Sequence, residues 1–206
     1  NVAIIQQLDH ASLDEIRNAI EAQLDVIAAE KNLTIQYKDF NGQNDTSVLN
    51  QIGTEVVSEG FDMIIPIATT AAQIMVTAAD GQIPVVYAAV SDPVGSGLAD
   101  IVGTSDALNT PFILDMMLAA QPDIQTVGLL YSNSEPNSVT PIKEAKAYLD
   151  AKGIAYIEKT GTTTGEITEA AASLVGRVEA VFTPTDNAVM AAEASVAELL
   201  NADGIA

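Results

Sequence analysis

The 206-residue sequence contains no cysteine, no tryptophan and a single histidine. The absence of thiols excludes disulfides, thiolate nucleophiles and cysteine-based zinc sites, and one histidine leaves only all-oxygen metal sites. The Asp/Asn spacing around residues 39–45 does not match a calcium-binding helix–loop–helix. Cations are scarce as well, with 8 Lys+Arg against 28 Asp+Glu and a formal charge of −20. A field of that sign repels phosphate backbones and anionic lipid heads, so nucleic acid and membrane surfaces are poor partners. No apolar run approaches the ~18 residues that a membrane-spanning helix needs. The chain opens in a strand-like run, Val2-Ala-Ile-Ile5. What is plentiful is apolar: 48% of residues are hydrophobic, enough to bury a core.

Short apolar runs alternate with longer helical patterns along the whole chain. Strands are predicted at 2–6, 33–39, 62–67, 84–89, 101–103, 126–131, 154–158 and 179–183. Helices are predicted at 12–30, 45–59, 70–80, 110–120, 137–152, 166–175 and 187–202. In the first helix Leu13, Ile16, Ile20, Leu24 and Ile27 keep helical spacing, and Ser12 with Glu15 reads as a capping box. Runs such as Met63-Ile-Ile65 and Val127-Gly-Leu-Leu130 suit strands covered by helices on both faces. The fold class is therefore α/β with doubly wound parallel sheets. The repeat breaks near 104–110 and a fresh βα series starts at 126, which sets a boundary between a first lobe, 1–107, and a second, 108–206. Two such lobes joined at a hinge make a clamshell. The second, with three strands, is expected to be incomplete at its C-terminus.

Ligands of open parallel sheets bind at the carboxyl ends of the strands. The loops on that edge are polar: 6–10, 41–45, 68–70, 90–93, 103–106, 132–138, 161–165 and 184–187. Helix capping explains some of these Ser, Thr, Asn and Asp residues, but loops 90–97 and 132–138 are longer than a cap requires. All eight basic residues fall outside these loops, so a ligand carboxylate would be held by helix N-termini and hydroxyls rather than by arginine. Thr69 and Thr70 suit that task, with Ser134 and Ser138 facing them. Asp186, Glu135, Asp92 or Asp106 would accept from an ammonium group. A small zwitterion fits such a site and a polyanion does not. Enzyme motifs are absent. There is no phosphate-binding P-loop, no G-x-S-x-G elbow and no complete dinucleotide fingerprint, since Asp100 stands where the third glycine belongs. His10 reads as a helix-entry or cleft residue; no catalytic residue, metal site or cofactor is assigned.

Four loops together, Ala68-Thr-Thr-Ala-Ala-Gln73, Val90-Ser-Asp-Pro-Val-Gly-Ser-Gly-Leu98, Tyr131-Ser-Asn-Ser-Glu-Pro-Asn-Ser138 and Pro184-Thr-Asp-Asn187, resemble the ABC transporter substrate-binding family that includes the bacterial tryptophan-, tyrosine- and phenylalanine-binding lipoproteins. The resemblance runs along the whole chain. It implies a type I periplasmic-binding-protein clamshell with an amino acid, most often aromatic, between two lobes. It also implies permease and ATPase partners, and an extracytoplasmic location with a lipid anchor upstream of this chain. By the same resemblance Thr69, Thr70, Ser91 and Asp92 form the first-lobe side of the ligand site. Asn133, Ser134, Glu135, Asn137, Ser138, Asp186 and Asn187 form the second, with His10 nearby. The family pattern has His-Pro where this chain has His10-Ala11. A monomer is expected, because hinge closure needs free lobes. The alternatives are the sensor domain of a receptor or regulator, which the same clamshell also serves, and, behind it, an α/β enzyme.

Overall fold

Strand β1 (Val2–Gln6) is buried at all five positions, and parallel neighbours on both sides explain why. It pairs with β2 (Tyr37–Asn41) through Val2↔Tyr37 and with β3 (Met63–Ile67) through Val2↔Met63. The computed structural model describes all residues 1–206, which divide into two compact units, 1–107 and 108–206.

In the first unit, side chains of successive strand residues point to opposite faces. Ala3, Ile5 and Ile64 pack on one face against α2 (Thr46–Glu59) and α3 (Thr69–Ala79). Val2, Ile4, Ile65 and Ile67 pack on the other against α1 (Ala11–Lys31). Parallel bridges Ile64↔Val85 and Ile67↔Ala88 carry the sheet on to β4 (Val86–Tyr87), which pairs with β5 (Val102–Gly103). The order is thus β2-β1-β3-β4-β5, all parallel, with the direction of winding reversing between β1 and β3.

The second unit begins with α4 (Thr110–Ala120) and repeats the first three strands. Strand β6 (Thr126–Tyr131) lies between β7 (Ala155–Thr160) and β8 (Ala180–Phe182), parallel to both. Val127 and Leu129 join the core beneath α4 and α5 (Val139–Lys152); Leu130 joins the core formed by α6 (Thr164–Ala172), α7 (Asn187–Ala191) and α8 (Glu193–Ala202). Gly128 at the centre of β6 is required by packing, since a Cβ there would meet Leu174 Cδ1 at 2.8 Å. Beyond β8, Val181 N–H donates to the Ala206 carbonyl at 2.7 Å.

Several predicted boundaries move. Helix α1 is capped by His10, whose Nδ1 accepts from Ser12 N–H at 3.3 Å, so Ser12 lies inside the helix and the Ser12/Glu15 capping box does not form. The predicted helix 187–202 is two helices broken at Ala192 (φ −101°, ψ 0°), where Ala192 N–H turns to the Val189 carbonyl at 2.9 Å. No proline or glycine marks that break in the sequence. β4 shortens to two residues because Ala89 takes φ +53° and turns the chain out of the sheet.

Candidate functional site

In the second unit the chain leaves β6 toward β7 on one side, and β8 adds on the other. The loops that follow β6 and β8 therefore diverge and open the crevice in which doubly wound sheets hold ligands. Loop 132–138 and loop 183–186 meet there on Asp186, which is 0% exposed. Asp186 Oδ2 accepts from Ser132 N–H at 2.7 Å and from Ser138 Oγ at 2.6 Å. Oδ1 accepts from the first free N–H groups of α7, those of Ala188 at 3.1 Å and Val189 at 3.0 Å. Both oxygens are satisfied from within the protein. The sequence offered Asp186 as an acceptor for a ligand ammonium; the structure places it beneath the crevice, as the clamp between its two walls.

Glu135 lies in the same cluster, also buried, and accepts from Asn187 Nδ2 at 2.8 Å. Burial pushes its carboxyl up to about 7; the Asn187 amide opposes that rise, the Asp186 carboxylate adds to it, and the Asn137 amide opposes it again. Asn137 Nδ2 donates to the Thr185 carbonyl at 2.6 Å, which fixes the amide and leaves Asn137 Oδ1 buried without a protein partner. Ser134 turns back on its own loop, its Oγ 2.8 Å from Ser132 Oγ. Asn133 reaches outward instead, to Thr160 Oγ1 at 3.1 Å. From Ser132, Glu135 and Ser138 a cavity of about 590 Å³ runs along α5 past Lys143 and Lys146 to Tyr156.

The matching position in the first unit is the turn from β3 into α3, and it is built differently. Ala68 alone makes the turn, at φ +78° and ψ 162°, a conformation that favours glycine. No side chain caps α3. Thr69 and Thr70 open the helix, and both hydroxyls are buried without a protein partner; Thr69 is 1% exposed. A buried helix N-terminus with free N–H groups and idle hydroxyls is a ready anion site. Beyond β4, Ser91 Oγ donates to Asp106 Oδ1 at 2.8 Å, and Asp92 Oδ1 accepts from Gly95 N–H at 2.8 Å. A Cβ at residue 95 would lie 2.4 Å from Asp92 Oδ2, so a side chain there would displace the Asp92 carboxylate from this turn. His10 sits at the end of the β1 loop as the α1 cap.

Two residues of this edge were not singled out from sequence. Gln6, the last residue of β1, and Gln7, which follows it, are both 1% exposed. Gln7 Nε2 donates to Asn44 Oδ1 at 3.1 Å and ties the β1 loop to the β2 loop, while Gln6 accepts from Arg17 Nη1 at 3.1 Å. Their signal was available: two successive amides follow the apolar run Val2-Ala-Ile-Ile5.

The model of the family described as ABC transporter substrate binding protein matches residues 1–202. The chain belongs to that family. Members bind a substrate rather than turn it over, and the fold is that of periplasmic binding proteins. A tyrosine-binding protein of Clostridioides difficile (strain R20291) is 29% identical over 213 residues, spanning 100% of this chain and 61% of the relative. This chain thus spans less than two thirds of that curated relative. Among solved structures, an ABC domain in complex with L-Trp from Streptococcus pneumonia is 28% identical with a TM-score of 0.90, covering 98% of this chain and 71% of the other. A ligand-free, open substrate-binding protein with adhesive properties from Clostridium difficile is 31% identical with a TM-score of 0.60, again covering 98% and 71%. No helix of this chain is long and apolar enough to cross a membrane.

Proposed function

We propose that this family member binds one amino acid with an aromatic side chain and delivers it to the permease and ATPase subunits of an ABC importer. The observation that carries the reading is the opposite character of the two strand-end sites. The first unit presents donors with nothing to bind: the uncapped start of α3 and the hydroxyls of Thr69 and Thr70. The second presents acceptors, Glu135 and the unpartnered Asn137 Oδ1. Donors suit a carboxylate and acceptors an ammonium group, and a zwitterion carries both. Ser132, Ser138, Asp186 and Asn187 hold the acceptors in place; Ser91, Asp92, Asn133, Ser134 and His10 belong to the rim. The aromatic side chain is proposed from the relatives, one described as tyrosine-binding and one seen with L-Trp. The proposal places the protein outside the cytoplasmic membrane as a monomer, lipid-anchored through a segment upstream of this chain.

The test is thermal unfolding after denaturation and refolding to strip carried-over ligand. A ligand that binds only the folded state adds roughly 2.7 kcal/mol at a hundredfold excess over its Kd. L-Tyr or L-Trp is expected to raise Tm, while tyramine (no carboxylate) and 3-(4-hydroxyphenyl)propionate (no ammonium) leave it unchanged. Equal shifts with all of them, or none with any of the twenty amino acids, would overturn the reading.

A further inference from the structure

Asp186 and Glu135 are neighbouring buried carboxyl groups with different surroundings. Three of the four donors to Asp186 are backbone N–H groups, which cannot accept, and the fourth is the Ser138 hydroxyl. The three backbone N–H groups can only donate, so this carboxyl supplies the acceptor that they need. Glu135 lies near the Asp186 carboxylate, with the Asn187 side-chain amide, the Asn137 amide and the Asn187 backbone N–H as hydrogen-bond donors; in the same cluster Asn137 Oδ1 has nothing to accept although Asn137 is 2% exposed. One buried acceptor of the cluster, Asn137 Oδ1, is thus unmet, and a proton on the neighbouring Glu135 or a cation with several N–H groups would suit it.

We infer that Glu135 is the proton-exchanging member of this pair: it holds a proton while the site is empty and releases it when a primary ammonium group arrives. This rests on the amino-acid reading above. The step balances as the Glu135 carboxylic acid plus the ligand ammonium giving a carboxylate–ammonium pair, with one proton passing to solvent. Ammonium offers three N–H donors, for the Glu135 carboxylate and Asn137 Oδ1 among others. Asp186 acts as a positioning residue: it ties Ser132, Ser138 and α7 together and biases Glu135 toward the neutral form. Other charges face the same cavity from α5, namely Lys143, Lys146 and Asp150. Lys146 is held 2.6 Å from Glu158 on β7, and that contact keeps the Glu158 carboxyl below its ordinary range.

The sign follows from which form binds. Ligand requires ionised Glu135, so affinity is full above a pH of about 7 and falls up to tenfold for each pH unit below it. The experiment is calorimetric titration of the refolded protein with L-Tyr and L-Trp at pH 5.5, 6.5, 7.5 and 8, in buffers of different ionisation heat. Wild type is expected to release close to one proton per ligand at pH 5.5 and few at pH 8, with Kd weakening in step. Glu135→Gln is expected to bind more weakly, with neither proton release nor pH dependence, a signature that a merely structural residue would not give. Asp186→Asn, if it folds, moves the pH dependence of affinity to lower pH; if it does not fold, Glu135→Gln still decides. Flat wild-type affinity over this range without proton release would overturn the inference while leaving the amino-acid reading standing. Binding of neither ligand at pH 8 would overturn that reading; the carboxyl ¹³C titration of Glu135 in the ligand-free protein then decides the pair, a midpoint near 7 supporting it and one near 4.5 overturning it.

Discussion

Helices α3 and α7 occupy the same place in the two units, each following the third strand of a β2-β1-β3 or β7-β6-β8 sheet. Their beginnings are opposites. Asp186 caps α7 with a buried carboxylate that the protein supplies itself. At α3 the equivalent position is Ala68, in a left-handed conformation and with no cap at all. One crevice has an anion built in and the other lacks one, although the backbone plan is shared. The lesson is that a repeated βα frame places the two helix starts alike, while a single residue at the strand-to-helix turn sets whether the protein caps that start itself.

The largest effect is expected from removing the built-in anion. Asp186→Ala leaves buried N–H groups of Ser132, Ala188 and Val189 without an acceptor and should cost about 2–4 kcal/mol, read by urea unfolding. A loss below about 1 kcal/mol would mean that water replaces the carboxylate and that the two helix starts differ less than they look. Thr69→Val probes the other side. Its hydroxyl has no protein partner, so unfolding should change by less than about 0.5 kcal/mol while L-Tyr affinity drops roughly fivefold, about 1 kcal/mol. Unchanged affinity would remove Thr69 from the carboxylate site. The smallest effect is expected at Ala68. Ala68→Gly fits the observed φ, so strain relief and the greater freedom of the unfolded chain should nearly offset, leaving a gain of about 0.5–1 kcal/mol at most. A clear loss would show that the Ala68 methyl does more in packing than strain costs.

Much of this frame was legible from residues. The apolar runs at 2–6, 63–67 and 126–131 are buried strands because their alternate residues face helices on both sides of a parallel sheet, a pattern that hydropathy records directly. The break at Ala192 was not legible, since nothing local distinguishes that alanine from its neighbours. The cap of α1 was misassigned for a related reason: Ser12 is a good cap by type, but His10 also offers an acceptor nitrogen two residues earlier. The sequence offered Asp186, Glu135, Asp92 and Asp106 for one and the same role. The different surroundings of Asp186 and Glu135 depend on contacts across 48 to 54 residues of chain.

The sequence by itself determined the class: parallel α/β, strand-end loops rich in hydroxyl, amide and carboxyl side chains, and no thiol chemistry. These properties follow from composition and short-range periodicity, which each segment carries alone. Only the tertiary structure decided what surrounds each of the two buried carboxyl groups, Asp186 and Glu135. Those surroundings depend on β8 lying beside β6, so that loop 183–186 closes on loop 132–138, encloses Asp186 in donors and brings Asn187 to Glu135. Strand order is a non-local property, and the charge state of a buried carboxyl follows from what strand order brings next to it.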